Sequence, residues 1–187
     1  MGMGEPFLNY KNVIKAAKLL NDPYGINMGS KRITISTAGV ISKIEEFTKS
    51  KEKFKLAISL NGTTNEQRSS IMPINKKNSL DELLNVSRKY TETLNRWLTF
   101  EYVLLKEIND SVEDAKRLLS MLAGMKKCKL NIIPYNETDG EFRRPDKDQI
   151  EDFVKALRPA KFPITVRWSK GIDIDAGCGQ LATRNQV

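Results

Sequence analysis

Short apolar segments rich in β-branched residues alternate along the chain with longer segments whose apolar residues recur at helical spacing. The short segments predict strands, and the longer segments predict helices. The predicted strands cover residues 32–37, 54–60, 97–105, 129–134 and 164–168. Because strands and helices alternate, the pattern is typical of βαβ units that form a parallel sheet.

The predicted helices are recognised by apolar stripes and by residues that begin or end a helix. A first helix is predicted over residues 9–20, and a second runs through Val40, Ile41 and Ile44. Residues 61–78, between the second and third predicted strands, are polar and are predicted to form a loop.

The later helices carry clearer signals at their ends. Two of them begin with the pattern of a capping box, in which a serine precedes an acidic residue by three positions: Ser79 with Glu82, and Ser111 with Asp114. The first of these helices is predicted over residues 80–94. Pro145 opens a last helix, and Pro159 closes it.

Polar residues cluster just after the predicted strands, which favours part of a (β/α) barrel over a doubly wound sheet. The chain opens in a glycine-rich turn, residues 1–6, with no strand before it. We therefore expect an α/β fold in which residues 1–187 form an incomplete barrel with parallel strands, at least one N-terminal strand being missing. Unpaired strand edges of this kind lower solubility unless something covers them.

Composition narrows the possible chemistry. Lys and Arg outnumber Asp and Glu by 31 to 23, which favours a polyanionic partner such as RNA, although many basic proteins bind no specific anion. The chain has no histidine and two cysteines, so imidazole catalysis and a disulfide framework are excluded, and no metal site is predicted. It contains neither a signal-peptide pattern nor an apolar run long enough for a membrane span, and we expect a cytoplasmic protein.

Polar residues at the predicted strand ends are the first candidate site. Glu5 lies in the GMGEP turn, and Ser36, Ser59, Asn61 and Asn136 each follow or end a strand. In a barrel these side chains share one rim, where they suit the ribose and amino-acid parts of a nucleoside cofactor. Helix capping and turn formation are the alternative explanations for the same residue types.

Cys178 is the second candidate, because it lies between Gly177 and Gly179 in a polar segment after the last predicted strand. Its thiol should be accessible, and the alternative is a cysteine without function in the tail. Cys128 begins an apolar strand and is predicted to be a core residue. Basic residues concentrate in the C-terminal third, where they either hold phosphates or form a solvated face: Arg143, Arg144, Arg167 and Lys170.

Several stretches together resemble the RlmN type of adenine-C2 RNA methyltransferases, a family of the radical S-adenosylmethionine superfamily. The matching stretches, in the family's order, are GMGEP with LNY (1–10), RITISTAG (32–39), LAISLN (56–61), IMPIN (71–75), TFEYVLL with IND (99–110), KLNIIPYN (129–136), RRP (143–145) and DIDAGCGQLA (173–182). They span nearly the whole chain.

This resemblance implies a fold of six βα units and a defined chemistry. Cys178 matches the cysteine that carries the methyl group, while a second S-adenosylmethionine at a 4Fe–4S cluster generates the radical that activates that group. The electron-poor C2 of adenine explains why the family needs such a cofactor. The implied cofactor-binding residues are Gly4, Glu5, Ser36, Ser59, Leu60, Asn61 and Asn136. The implied partners are large-subunit ribosomal RNA, with transfer RNA as a second candidate, and an electron donor.

The sequence departs from the family pattern in one important respect. The family's CxxxCxxC cluster motif is absent from the 187 residues, so we expect this chain to be an N-terminally truncated enzyme that does not form the radical alone. The methyl-carrier segment would cover about residues 171–187. A sister group, the Cfr type, methylates C8 of adenine, and Pro6 favours the C2 branch. The alternative function is an inactive remnant that binds RNA or another partner through its basic surface.

Overall fold

A computed structural model describes residues 4–137 and 140–168. Its centre is one five-stranded sheet in which every neighbouring pair of strands is parallel, in the order β1-β2-β3-β4-β5. The strands are β1 (Thr34–Thr37), β2 (Lys55–Ser59), β3 (Leu98–Leu104), β4 (Cys128–Pro134) and β5 (Ile164–Val166). The spatial order follows the chain without the reversal of a doubly wound sheet, which confirms the predicted α/β fold as part of a barrel.

Helices connect the strands and cover one face of the sheet. They are α1 (Tyr10–Asn21), α2 (Ile41–Lys49), α3 (Asn65–Ile71), α4 (Leu80–Leu94), α5 (Val112–Leu122) and α6 (Lys147–Ala156). Short 3-10 turns at Pro6–Asn9, Ser30–Arg32 and Pro73–Lys76 complete the connections. Both predicted capping boxes are confirmed, because Ser79 and Ser111 each exchange hydrogen bonds with the acidic residue three positions later.

The main correction concerns residues 61–78, which were predicted to be a loop. They form α3 and a 3-10 turn, and Thr64 caps α3 by accepting a hydrogen bond from the backbone N–H of Gln67. The apolar stripe that marks a helix is missing here because α3 buries a charged residue, Arg68, instead. The first strand is also shorter than predicted, since Ser30–Arg32 forms a 3-10 turn.

The two faces of the sheet differ in chemistry. Side chains alternate along each strand, and β4 is alternately buried and half-buried along its length. One face carries Leu56, Phe100 and Leu130, which belong to a single apolar core that includes residues of the helices. A stacked pair of rings, Tyr102 of β3 and Phe153 of α6, joins this face to the helices. The opposite, inner face is polar and is described below.

None of the helices within residues 4–137 and 140–168 combines the length and apolar character needed to cross a lipid bilayer. The expectation of a missing N-terminal strand stays an expectation, because such a strand would precede residue 1.

Candidate active site at the carboxyl edge of the sheet

A cavity of about 620 Å³ lies along β1, between this strand and α1. Its polar lining includes Glu5, Ser36, Thr37 and Ser59, and its apolar wall comes mainly from α1. This volume falls within the range of small-molecule sites, which combine an apolar wall with a few polar groups. Because Thr37 and Ser59 are the last residues of β1 and β2, the cavity lies at the carboxyl ends of these strands, where a barrel places its ligand.

Glu5 is fixed at the mouth of this cavity by three donors. Its Oε1 atom accepts hydrogen bonds from the Phe7 backbone N–H at 2.9 Å and from the Thr37 hydroxyl at 2.7 Å. Its Oε2 atom accepts one from the backbone N–H of Ala38 at 2.6 Å. Since a carboxylate offers about four acceptor positions, one position on Oε2 is left for an amine or hydroxyl of a ligand.

Arg68 ties the ends of β1 and β2 together from below the cavity rim. Its side chain is fully buried and donates to the carbonyl oxygens of Ala38, Ser59 and Leu60 and to the side-chain oxygen of Asn75. Burial lowers the pKa of its guanidinium to about 10. All four acceptors are neutral, so Arg68 sets the geometry of the rim through carbonyl groups and without an ion pair.

Asn61 and Asn109 connect the end of β2 to the end of β3. Asn61 adopts a left-handed conformation, and its side-chain oxygen accepts from the backbone N–H of Val103 at 2.9 Å. The Asn109 amide group donates to the carbonyl oxygens of Asn61 and Val103, while its oxygen accepts from the backbone N–H of Leu105. These bonds satisfy the backbone where the two strands stop pairing.

A second network joins the loop before α3 to the start of α5. The Asp114 carboxylate accepts from Thr63, Gln67, Arg117 and Ser111. Burial alone would raise the pKa of Asp114, but these hydrogen bonds together hold it below its ordinary value of 3.8. The rim segments after β2 and β3 are therefore joined by a buried, ionised carboxylate.

A row of polar residues crosses the inner face of the sheet at one level. The strand register places Ser59 beside Glu101, Glu101 beside Asn131, and Asn131 beside Thr165. Neighbouring residues of parallel strands point to the same face, so these four side chains form what we call the inner polar row. Glu101 is 8% exposed and accepts a hydrogen bond from the hydroxyl of Ser36 on β1 at 3.1 Å.

The segment after β4 brings aromatic and basic side chains to the same edge. Arg144 lies over the ring of Trp168, which follows β5, with 5.7 Å between the guanidinium carbon and the ring centroid. Tyr135 and Phe142 make an edge-to-face contact in the same segment. Asn136 is buried, and its side-chain oxygen has no hydrogen-bond donor among the described residues.

Sequence comparison finds relatives that are named as RNA methyltransferases. No protein-family model matches the chain. A protein from Pseudothermotoga lettingae named probable dual-specificity RNA methyltransferase RlmN is 45% identical over 185 residues, covering 99% of this chain and 54% of the relative. A protein of the same name from Leptospira interrogans is 44% identical over 185 residues, covering 99% of this chain and 52% of the relative. This chain is homologous to the RlmN proteins. It spans about half the length of the curated relatives it matches.

Two solved structures are similar to this chain. A radical SAM methyltransferase from Sphaerobacter thermophilus superimposes with a TM-score of 0.91 at 40% identity, over 96% of this chain and 53% of that chain. A domain of pyruvate-formate lyase-activating enzyme from Bacteroides vulgatus superimposes with a TM-score of 0.67 at 14% identity, over 89% of this chain and 96% of that chain. The second likeness concerns the fold alone.

The structure brings together part of the residue set that the RlmN resemblance implies. Gly4, Glu5, Ser36 and Ser59 all line the cavity beside β1. Three others lie at the same edge but outside the cavity lining: Leu60, Asn61 and Asn136. The Leu60 side chain is buried in the core, and the Asn61 amide is held by Val103 and by the Met72 sulfur. Any ligand contact by Leu60 would therefore use its backbone.

Cys178, the implied methyl carrier, lies outside the described residues, as do Lys170 and residues 171–187. Cys128 is buried, as its position in an apolar strand predicted, and burial raises the pKa of its thiol to about 11. Within residues 4–137 and 140–168 no group of three or more Cys, Asp or Glu side chains is arranged to hold a metal.

Two residues at the candidate site were missed by sequence reasoning. Glu101 was hidden inside an apolar strand, and Arg68 inside a polar segment. A charged residue within an otherwise apolar strand was a usable signal for Glu101, because such residues are rarely buried unless they have a partner. No local signal identified Arg68, whose partners come from three separate segments.

Proposed function

We propose that this chain carries the S-adenosylmethionine-binding and RNA-binding part of a radical enzyme that methylates C2 of adenine in RNA. The observation that carries the proposal is the 45% identity to an RlmN protein over 185 residues, in a chain whose strand ends form a cavity of suitable size. Identity at this level over most of the fold supports a shared site as well as a shared architecture.

The polar groups at the strand ends fit S-adenosylmethionine. The open acceptor position on Glu5 suits the methionyl amine, and the Ser36 and Ser59 hydroxyls suit the ribose. The unpaired oxygen of Asn136 suits an amino group, because a buried acceptor without a donor is costly to leave unsatisfied. The apolar residues of α1 give the cavity a wall that excludes water. Bound beside a reduced iron–sulfur cluster, this cofactor supplies the methyl group and the one-electron chemistry that adenine C2 requires.

The proposal assigns the cluster ligands to polypeptide outside these 187 residues. The chain contains two cysteines, and Cys128 is buried with a raised thiol pKa, so neither the number nor the placement suits a cluster. Cys178 takes the role of methyl carrier in this proposal, by its match to the family motif. The carrier thiol must be accessible to accept a methyl group, which suits a cysteine between two glycines.

The proposed substrates are adenosines of large-subunit ribosomal RNA and of transfer RNA. The relatives are named dual-specificity RNA methyltransferases, which supports an RNA substrate and more than one type of it. The net charge of +8 favours the same class of partner. Pro6 in the GMGEP turn supports C2 over C8 as the site of methylation.

A second candidate function is binding without catalysis, because the cluster motif is absent from the 187 residues. In this case the chain would hold RNA or another partner through its basic surface. The two candidates differ in one measurable respect, since only the enzyme changes the chemical composition of RNA.

The decisive experiment is mass spectrometry of digested ribosomal and transfer RNA from a bacterial strain that lacks its own adenine-C2 methyltransferase. The gene is expressed with whatever in-frame coding sequence precedes Met1, in wild-type form and as Cys178→Ala. We expect 2-methyladenosine with the wild-type gene and none with Cys178→Ala. Methylation by the Cys178→Ala variant would show that Cys178 is not the methyl carrier. Detection of 8-methyladenosine in place of 2-methyladenosine would assign the methylation to C8.

A direct binding measurement tests the 187-residue chain itself. Equilibrium dialysis with radiolabelled S-adenosylmethionine should detect binding that Glu5→Gln weakens about tenfold, the loss of one hydrogen bond to a charged group. Glu141→Gln, which alters an exposed carboxylate of the segment after β4, is the matched control. If the wild type and Glu5→Gln bind S-adenosylmethionine with equal affinity, Glu5 serves only to cap the 3-10 turn at Pro6–Asn9. After anaerobic reconstitution the chain should show no iron–sulfur absorbance.

A further inference from the structure

The inner polar row contains a carboxylate that the proposed function does not yet use. Glu101 is almost buried at the centre of the row, between Ser59 of β2 and Asn131 of β4. Buried carboxylates are rare unless hydrogen bonds or an opposite charge offset the loss of water. The partners of Glu101 therefore indicate whether its role is structural.

Glu101 is only partly satisfied by the described residues. Its Oε2 atom accepts from the Ser36 hydroxyl at 3.1 Å, while its Oε1 atom lies 3.9 Å from Nη1 of Arg167, beyond hydrogen-bonding distance. The Arg167 side chain is mostly exposed, so this ion pair is weak. A carboxylate has about four acceptor positions, so most of those of Glu101 remain available on the inner face of the sheet.

Two of the polar neighbours of Glu101 belong to the cavity beside β1. Ser36 and Ser59 both line that cavity, and Ser59 stands beside Glu101 in the strand register. The Ser59 hydroxyl makes no hydrogen bond with any residue in 4–137 or 140–168, and the same holds for the amide of Asn131. Glu101 itself is not part of the cavity lining, so only a ligand that extends from the cavity past Ser36 and Ser59 reaches its carboxylate together with the free Ser59 hydroxyl.

We infer that Glu101 is a further ligand-binding residue, whose carboxylate accepts hydrogen bonds from the ribose hydroxyls of the nucleoside cofactor beside Ser36 and Ser59. Two adjacent hydroxyl groups match the two oxygens of a carboxylate, and carboxylates bind ribose in other nucleotide sites for this reason. The inference rests on the proposed function, because it requires a nucleoside in the cavity. Ser36 then holds the carboxylate in position.

The test compares nucleosides that differ by one hydroxyl group. Titration calorimetry is done with 5′-methylthioadenosine and with its 2′-deoxy and 3′-deoxy analogues, on the wild-type chain and on Glu101→Gln. We expect the substitution to weaken the ribonucleoside about tenfold, through loss of a charge-assisted hydrogen bond, and to weaken at least one deoxy analogue less than about twofold. Glu52→Gln is the matched control, because Glu52 is also nearly buried and paired, with Lys18, but precedes β2 at the opposite edge.

Several outcomes would overturn the inference. Equal weakening of the ribonucleoside and both deoxy analogues would mean that Glu101 acts on the fold or on net charge. Weaker binding of an RNA oligonucleotide, with unchanged nucleoside binding, would assign Glu101 to the ribose of the substrate. If Glu101→Gln does not fold, as judged by circular dichroism, Glu101→Asp gives the same comparison. A wild-type chain that binds none of the nucleosides would instead contradict the proposed function.

Discussion

At the scale of single residues, the rim depends on one buried cation. Arg68 donates to the carbonyl oxygens of Ala38, Ser59 and Leu60, each of which ends or follows a strand at the candidate site. A fully buried guanidinium without an ionic partner must have each donor satisfied by a well-placed oxygen. The positions of these backbone oxygens are therefore coupled, and a shift of Arg68 moves the floor of the cavity.

Gly62→Ala tests this coupling, because a Cβ atom at position 62 would lie 2.7 Å from Cβ and 2.8 Å from Cα of Arg68. We expect the free energy of unfolding to fall by about 1–3 kcal/mol, the usual cost of overpacking, and S-adenosylmethionine binding to weaken with it. Gly29→Ala is the matched control, since a Cβ there meets no atom within 4 Å. Urea denaturation measures the free energy of unfolding of the two variants. Equal values would show that the loop containing Gly62 shifts without moving Arg68.

Asp114 supplies a pH dependence with a definite sign. Its pKa in the folded protein is below the ordinary value of 3.8, so its interactions stabilise the fold above that value. This contribution is lost as the pH falls through the lowered pKa. Asp114→Asn should cost about 1–3 kcal/mol at neutral pH and flatten the loss of stability as the pH falls below about 5. Denaturation at a series of pH values measures both effects, and Glu113→Gln, at an exposed neighbour, should leave the curve unchanged.

At the scale of elements, the sequence predicted what local rules control and missed what distant contacts control. Helix α4 has the predicted bounds because its capping box and apolar stripe are encoded within it. Helix α3 has no apolar stripe, since its buried position is taken by Arg68, whose partners lie elsewhere in the chain. A helix stabilised by a buried charge gives no periodic signal.

Helix α3 should therefore depend strongly on its cap. Thr64 accepts a hydrogen bond from the Gln67 backbone N–H at 3.1 Å, and Gln67 in turn contacts Thr63, Ile108 and Asp114. Thr64→Ala should lower the free energy of unfolding by about 1 kcal/mol, as loss of an N-cap does. Ser70→Ala, at an exposed position near the end of the same helix, should have little effect. Equal effects of both substitutions would mean that tertiary contacts alone hold α3.

At the scale of the whole molecule, the sheet has an apolar outer face and a polar inner face, and the candidate site lies at the carboxyl ends of its strands. Glu5, Ser36 and Ser59 could be placed at this edge from sequence, because residues that follow parallel strands meet there. The cavity volume and the part played by α1 could not, since they depend on how a helix packs beside β1. The charge of Glu101 within an apolar strand was a usable signal, but its polar neighbours could not be named from sequence, because they depend on the strand register.

The same edge carries the surface on which we expect RNA to bind. Trp168 is 53% exposed and lies under Arg144, and no described salt bridge involves Arg143 or Arg144. Both guanidinium groups donate to backbone carbonyl oxygens and have no carboxylate partner among the described salt bridges. An exposed ring beside such groups suits an unpaired base and its phosphate, and such stacking contributes about 1–3 kcal/mol per base. Glu137 and Glu141 in the same segment limit the local positive charge, so stacking should matter more than net charge here.

The chain offers its own control for this prediction, because its other tryptophan, Trp97, is 51% exposed and precedes β3 at the opposite edge of the sheet. In Trp97→Phe, a single-stranded RNA oligonucleotide should quench the fluorescence of Trp168, whereas in Trp168→Phe the remaining emission from Trp97 should be unchanged. Trp168→Ala should weaken RNA binding about tenfold. Raising the salt concentration should weaken RNA binding by the wild type and by Trp168→Ala with similar slopes of log affinity against log salt, because the phosphate contacts remain. Quenching of Trp97 alone would move the RNA to the other edge of the sheet, away from the cavity.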